Sequence, residues 1–151
     1  MKKIYIAGFD VFYDDAVKRG KEMKKICSDN GFEGLYPLDN ECDNAEEIFH
    51  ANINLIKQAD IIAANMNSFR GHEPDSGTVF EIGYAYALGK KIYCYLDDNR
   101  NLVDKIGKKD KDGISVENFN LPLNLMIAVP ADIVKGNFRN CIEYIKNKQE
   151  E

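Results

Sequence analysis

DIIAANMNSFRGHEPDSGTVFEIGYAYALGK, residues 60–90, is the stretch whose reading decides the fold. Asp60–Met66 is a short, nearly continuous apolar run, the pattern of a central parallel strand covered on both faces. A loop broken by Gly71, Pro74 and Gly77 follows, and a small-residue helix is expected over Thr78–Leu88, ended by Gly89. Such a loop runs over the surface, so Glu81, just past its end, is expected to face a cleft. Gly83, Ala85 and Ala87 are expected to let that helix lie close to the sheet.

Outward from this unit the same alternation repeats. Lys3–Gly8 reads as a buried strand, and Phe12, Ala16, Gly20, Met23 and Cys27 recur at near-helical spacing on one face of a first helix closed by Asn30-Gly31. Phe32–Tyr36 is a short second strand. The polar tail of the loop Pro37–Glu41 sits where strand ends deliver ligand contacts. A second helix is expected from about Asn44 to Gln58, with Ile48, Asn52, Leu55 and Ile56 near one stripe. Beyond the central unit, Lys91–Leu96 is a fourth strand, and Asp97–Asn120 is polar and the most mobile stretch expected. Leu121–Ile127 is apolar around Asn124. Ile133 marks a short edge strand, and Phe138–Lys148 a terminal helix with Phe138, Ile142 and Ile145 inward. The pattern predicts a single α/β domain over residues 1–151, with a doubly wound, flavodoxin-like or Rossmann-like, five-stranded and mainly parallel sheet.

Composition narrows the function. The chain has 151 residues, 44% of them hydrophobic, enough for one sizeable core. A net charge of −5 with both signs interspersed argues against nucleic-acid or membrane-surface partners. The four cysteines are tens of residues apart and the two histidines, His50 and His72, form no cluster with them, so reduced thiols, no metal and no cofactor are expected. No apolar run is long enough for a signal core or a membrane span, which points to a cytoplasmic location.

Nucleotide-binding signatures are absent. Gly8 has no GxGxxG around it, and the segment from Gly83 to Lys90 has the wrong spacing and a helical context for a phosphate loop. Glu81 has two readings. Thr78-Val79-Phe80-Glu81 fits a capping box, in which the glutamate stabilises the first helical turn by about 1 kcal/mol. The alternative follows from its neighbours: Asp75 lies six positions away, and the unit follows the central strand at the expected crevice. Paired carboxylates without a metal or thiol cluster suit glycosyl transfer, one carboxylate attacking an anomeric carbon. A helix N-terminus would help keep such a nucleophile ionised.

Five ordered blocks then carry a resemblance. They are Tyr5-Ile6-Ala7-Gly8, Pro37-Leu38-Asp39-Asn40, Asn52-Ile53-Asn54-Leu55-Ile56 leading into Ala59-Asp60, the run from Asp75 to Ala85, and Leu123-Asn124-Leu125-Met126. Together they resemble the nucleoside 2-deoxyribosyltransferases from Tyr5 to about Met126. The resemblance implies double displacement: Glu81 attacks C1′ of a 2′-deoxynucleoside, the base leaves, and a second free purine or pyrimidine base attacks the deoxyribosyl ester. Tyr5 would hold Glu81, and Asp75 would accept the sugar 5′-hydroxyl. Gly77 and Thr78 would shape the sugar floor, and Phe9 and Phe12 would line the base pocket. Asp39 and Glu41 belong to the loop expected to meet the base. Asn124 and Met126 would reach a neighbouring subunit's site, implying a homo-oligomer with a dimer as its unit.

Two departures stand out. Asn52 occupies a position where well-known members of the family carry an aspartate placed to protonate the leaving base, and an amide is no general acid near neutral pH. Glu41 stands where some members have glutamine. The closest rival reading is a 2′-deoxynucleoside 5′-monophosphate N-glycosidase, against which Asp75 argues, because a phosphate would meet a like charge. A non-catalytic nucleotide-sensing or protein-binding module is opposed by the retention of Tyr5, Asp75 and Glu81 together.

Overall fold

The computed structural model describes residues 1–39 and 42–151. Five strands, β1 (Lys3–Ala7), β2 (Glu33–Leu35), β3 (Ile61–Asn65), β4 (Lys91–Leu96) and β5 (Asp132–Lys135), form one sheet in the order β2-β1-β3-β4-β5. Every pairing is parallel, so the sheet is wholly and not mainly parallel. β3 is buried along its whole length, as its unbroken apolar run demands.

Side-chain alternation sorts the sheet into two faces. Ile4, Ile6, Ile61 and Ala63 meet Met23 and Cys27 of α1 (Ala16–Asp29) and Cys141, Ile142 and Ile145 of α6 (Phe138–Gln149). Tyr5, Ala7, Ile62 and Ala64 meet the opposite layer: Leu55 and Ile56 of α2 (Ala45–Gln58), Ile82 and Ala85 of α3 (Ser76–Ala87), and Ile127 and Ala128 of the short α5 (Leu125–Ala128). The sheet order reverses between β1 and β3, and a crevice beyond the strand ends is the geometric consequence.

Several boundaries differ from the sequence reading. Phe12 is outside α1; it ends a 3-10 turn over Phe9–Phe12 and is 58% exposed. It stacks on Phe69 at 5.6 Å, and Phe9 stacks on the same ring at 4.9 Å. α3 begins at Ser76 and not at Thr78, with Asp75 as its cap. Only Ala85 of the expected small-residue set faces the sheet. Gly83 and Ala87 are exposed, and a Cβ on Gly83 would meet nothing within 4 Å. The 97–120 stretch carries a short helix, α4 (Leu102–Ile106), and a single bridge between Lys109 and Ser115. Among the described residues no helix is long and apolar enough to cross a membrane.

Gly20 is the tightest helix contact with the second strand region. Its missing Cβ would lie 2.6 Å from Cε2 of Tyr36, a buried ring whose hydroxyl donates to the Ala16 carbonyl at 3.1 Å. Gly20→Ala should lower unfolding free energy by about 1–3 kcal/mol, the overpacking cost exceeding the gain in helix propensity. Gly83→Ala, placed in open space, should raise it by up to about 1 kcal/mol. Denaturant melts of both variants check this, and shifts of the same sign would refute it.

Candidate active site

The site starts from two periodicities. Alternation along β1 turns Tyr5 toward the layer that holds α3. On α3, Thr78, Ile82 and Ala85 form the buried stripe, and Glu81, three residues after the first and four before the last, lies along its edge. Strand and helix thereby bring Tyr5 and Glu81 together, and the Tyr5 hydroxyl donates a hydrogen bond to Glu81 Oε2. Among the described residues the Glu81 carboxylate has no other hydrogen-bond donor.

Burial dominates the electrostatics. It pushes the Glu81 carboxyl up to about 7; the Tyr5 hydrogen bond acts in the opposite direction, and the nearby Asp75 carboxylate adds to the rise. Burial, then the Glu81 charge, push the Tyr5 phenol far upward, so Tyr5 remains a donor at any physiological pH. The expectation that a helix N-terminus keeps Glu81 ionised is reversed. Glu81 stands beyond the first turn, where the dipole's influence has faded.

Asp75 holds that N-terminus instead. Its Oδ2 accepts the Thr78 backbone N–H at 3.1 Å and the Thr78 hydroxyl at 2.6 Å. The capping-box explanation of Glu81 therefore fails: the cap lies three residues earlier, and the Glu81 carboxylate is engaged with Tyr5.

Tyr5 and Thr78 sit behind a cleft of about 540 Å³ whose lining includes Glu81, Asp75, Gly77, Asn52 and Phe12. Gly8 forms part of the wall with φ +156°, and a Cβ there would lie 2.7 Å from the Asn65 Cβ. The remaining lining is almost wholly apolar, with Ile48, Phe49, Ile53 and Phe80 from α2 and α3 prominent. Phe49 and Phe80 stand 6.0 Å apart, opposite in chain origin to Phe12. The Asn52 Oδ1 is buried and has no hydrogen-bond partner among the described residues. The described lining contains two carboxylates and no Lys, Arg or His.

Other candidates lie elsewhere. Phe9 faces a second hollow with Asp10, Asn65 and Asp97. Asp39 is outside the lining; it accepts from the Tyr36 backbone N–H at 2.8 Å and from Lys24 Nζ at 2.7 Å. Thr78 is buried and occupied by Asp75. Asn124 caps α5 by accepting the Met126 N–H at 2.8 Å, and Met126 is 76% exposed, both away from this chain's cleft. Glu41 lies outside the described residues. Phe49 and Phe80 were missed in the sequence, where the only available signal was two aromatics on polar helix faces.

Similarity to known proteins runs in one direction. The profile of a family described as nucleoside 2-deoxyribosyltransferase matches residues 4–126. The structure superposes on a 2-deoxyribosyltransferase from Leishmania mexicana with a TM-score of 0.89 and 38% identity, covering 97% of this chain and 98% of that one. An uncharacterised protein of Schizosaccharomyces pombe is 29% identical over 114 residues, 68% of this chain and 54% of the relative. A 5-hydroxymethyl-dUMP N-hydrolase of Rattus norvegicus is 30% identical over 84 residues, 54% of this chain and 48% of the relative. The chain thus spans about half the length of these two curated relatives.

The raised Glu81 carboxyl predicts a pH-dependent stability. Folding retains this proton between about 4.5 and about 7 while the unfolded chain releases it, so stability falls as pH rises through that window and is flat above it. Glu81→Gln lacks the penalty. Its advantage over the native protein should be absent below pH 4.5 and reach on the order of 3 kcal/mol above pH 7. Parallel stability curves for the two proteins across pH 4–8 would refute it.

Proposed function

The chain belongs to the nucleoside 2-deoxyribosyltransferase family, and from that premise we propose that it moves a 2-deoxyribosyl group between nucleobases by double displacement through Glu81. The observation that carries this reading is the Tyr5–Glu81 pair: a carboxylate fixed by one neutral donor at the edge of an apolar cleft. Ionised Glu81 attacks C1′ of a 2′-deoxynucleoside, and the base departs with the bonding pair and takes up a proton. A second base then attacks C1′ with a ring-nitrogen lone pair, loses its proton, and releases the carboxylate with the β configuration retained. Tyr5 keeps the reactive oxygens oriented and returns charge stabilisation when the ester breaks.

Asp75 offers Oδ1 to a sugar hydroxyl, since the hydrogen bonds to it from described residues all go to Oδ2. The aromatic and aliphatic lining from Phe12, Phe49, Phe80 and Ile53 suits the planar base. The charge of the lining favours free nucleosides over nucleotides. A 5′-phosphate would meet two carboxylates and no cation among the described lining residues. The likeness to a 5-hydroxymethyl-dUMP N-hydrolase supports a second reading, hydrolysis of a deoxynucleoside monophosphate, which this charge pattern opposes. Four free cysteines accord with a reducing, cytoplasmic setting.

Incubation with deoxyinosine and free adenine should yield deoxyadenosine, and Glu81→Ala should abolish it. Release of free hypoxanthine from deoxyinosine 5′-monophosphate in a parallel incubation, without deoxyadenosine in the first, would favour hydrolysis, and no turnover of either donor would end both readings. The native kcat/KM should rise about tenfold per pH unit up to about 7 and then level, because the ionised Glu81 is the attacking form. A rate independent of pH between 5 and 8 would remove Glu81 as nucleophile.

The same reading places the site across subunits. Asn124 and Met126 serve no part of this chain's cleft, and Met126 and Val129 leave an apolar end of α5 uncovered. Mixed Asn124→Ala and Glu81→Ala proteins, each inactive alone, should regain part of the native rate after subunit exchange. Continued inactivity with verified exchange would argue for self-contained sites.

A further inference from the structure

A second hollow opens at the carboxyl ends of the strands, on the α1 and α6 face of the sheet and across the Phe9–Phe12 turn from the cleft. Val11 and Phe12 of that turn line the cleft, and Phe9 and Asp10 line this hollow of about 460 Å³. Tyr95 reaches it from β4; the residue is 3% exposed, and its ring meets Phe138 at 5.8 Å. Its hydroxyl makes no hydrogen bond among the described residues and, unlike the sealed Asn52 oxygen, keeps surface open to the hollow. Burial, with the Asp10 charge next, holds the phenol well above its ordinary range, so the hydroxyl stays neutral and can accept or donate.

The acceptors around it fall into two sets. The amide oxygens are taken: Asn65 Oδ1 accepts the Asn67 backbone and side-chain N–H groups at 3.1 and 2.8 Å, and Asn67 Oδ1 accepts the Asp97 backbone N–H at 2.9 Å. The carboxylates are largely free. Asp10 Oδ2 accepts from Asn65 Nδ2 at 3.2 Å, but neither Asp10 Oδ1 nor the Asp97 carboxylate meets a donor among the described residues. Arg19, the one cation in the described lining, donates to Asp15 at 2.8 Å and lies 3.6 Å over the Tyr13 ring, so it is engaged with other partners. Asp10, Glu22 and Asp97 therefore leave the hollow negative. We propose that it binds a primary ammonium group, whose N–H donors reach Asp10 Oδ1, the Asp97 carboxylate and the Tyr95 hydroxyl. An ammonium carries three donors around a compact charge, and two anionic acceptors and one neutral acceptor stand open to it. Phe9 and Tyr13 give the wall aromatic surface, which suits an organic cation. A metal ion fits less well, because among the described residues no group of three or more His, Cys, Asp or Glu is placed to hold one.

Calorimetric titration of the full chain with 1,4-diaminobutane, and with the uncharged 1,4-butanediol, tests the site without reference to turnover. The diamine should bind saturably below about 1 mM, and the diol at least about tenfold more weakly. Tyr95→Phe removes one hydroxyl and leaves the net charge of −5 unchanged, and it should weaken the diamine about fivefold to tenfold. Asp97→Asn, at an exposed position, should weaken it about tenfold or more. Glu81→Gln, in the cleft, should leave the affinity within about twofold. Equal binding by a Tyr95→Phe protein that melts like the native one would reduce the effect to diffuse attraction toward an acidic chain and overturn the proposal. A loss in Glu81→Gln matching that in Asp97→Asn would place the amine in the cleft and overturn it as well. Saturable uptake of magnesium or calcium chloride without response to the diamine would overturn it in favour of a metal site, and no saturable binding of the diamine up to about 10 mM would end it outright.

Discussion

In the proposed reaction one carboxylate must be buried and yet ionise, and on that constraint the rest of the site depends. Glu81 sits among apolar residues, and burial, opposed by the Tyr5 hydrogen bond and helped by the Asp75 charge, raises its carboxyl to about 7. A lysine or arginine partner would lower that value far more, but it would hold the carboxylate in an ion pair and blunt it as a nucleophile. Tyr5 is a compromise between these demands. It supplies one hydrogen bond and no charge, and its own titration is driven out of range by burial and by Glu81 itself. The pair can exist because β1 alternates. The residues on either side of Tyr5, Ile4 and Ile6, face the α1 and α6 layer, and Tyr5 faces α3.

The rest of the cleft follows from keeping that carboxylate productive. An apolar lining strengthens every electrostatic contact within it and favours a planar, weakly polar ligand. Its two carboxylates, with no cation among the described lining residues, would disfavour an anionic ligand. Asp75 divides its labour in the same space. Oδ2 closes the first turn of α3 through Thr78, and that turn fixes where Glu81 points. Cap and site are consequently one unit, and the register of α3 is tied to the residue proposed to face the sugar.

Much of this was legible in the sequence. The unbroken run Ile61–Asn65 gave its burial away, and the alternation of strand and helix predicted the doubly wound sheet that the strand order displays. Element starts were harder. Asp75-Ser76-Gly77-Thr78 holds three good capping residues, Asp75, Ser76 and Thr78, and local propensity does not choose among them. Asp75 prevails because a carboxylate can accept both the amide and the hydroxyl of Thr78. Phe12 continues the spacing of Ala16 and Gly20, so periodicity alone extended α1 to it. Its ring instead stacks on Phe69, a partner 57 positions away that no local pattern reveals. Phe49 and Phe80 were hidden for the same reason: each is about half exposed on its helix, and only the meeting of α2 and α3 makes a wall of them.

Asn52 separates what a sequence states from what a structure adds. As a residue type it signals only that no proton can be given to a departing base near neutral pH. In place, its side chain lines the cleft while its Oδ1 is buried with no hydrogen-bond partner among the described residues. The two facts fit together. An aspartate there would push its own proton uptake upward in an apolar cleft already holding Glu81 and Asp75, and a third carboxylate would raise Glu81 further from its working range. An amide avoids that coupling. It adds no third charge to the cleft, so burial, Tyr5 and Asp75 set the ionisation of Glu81, and the side chain that offers no general acid also spares the proposed nucleophile a further like charge.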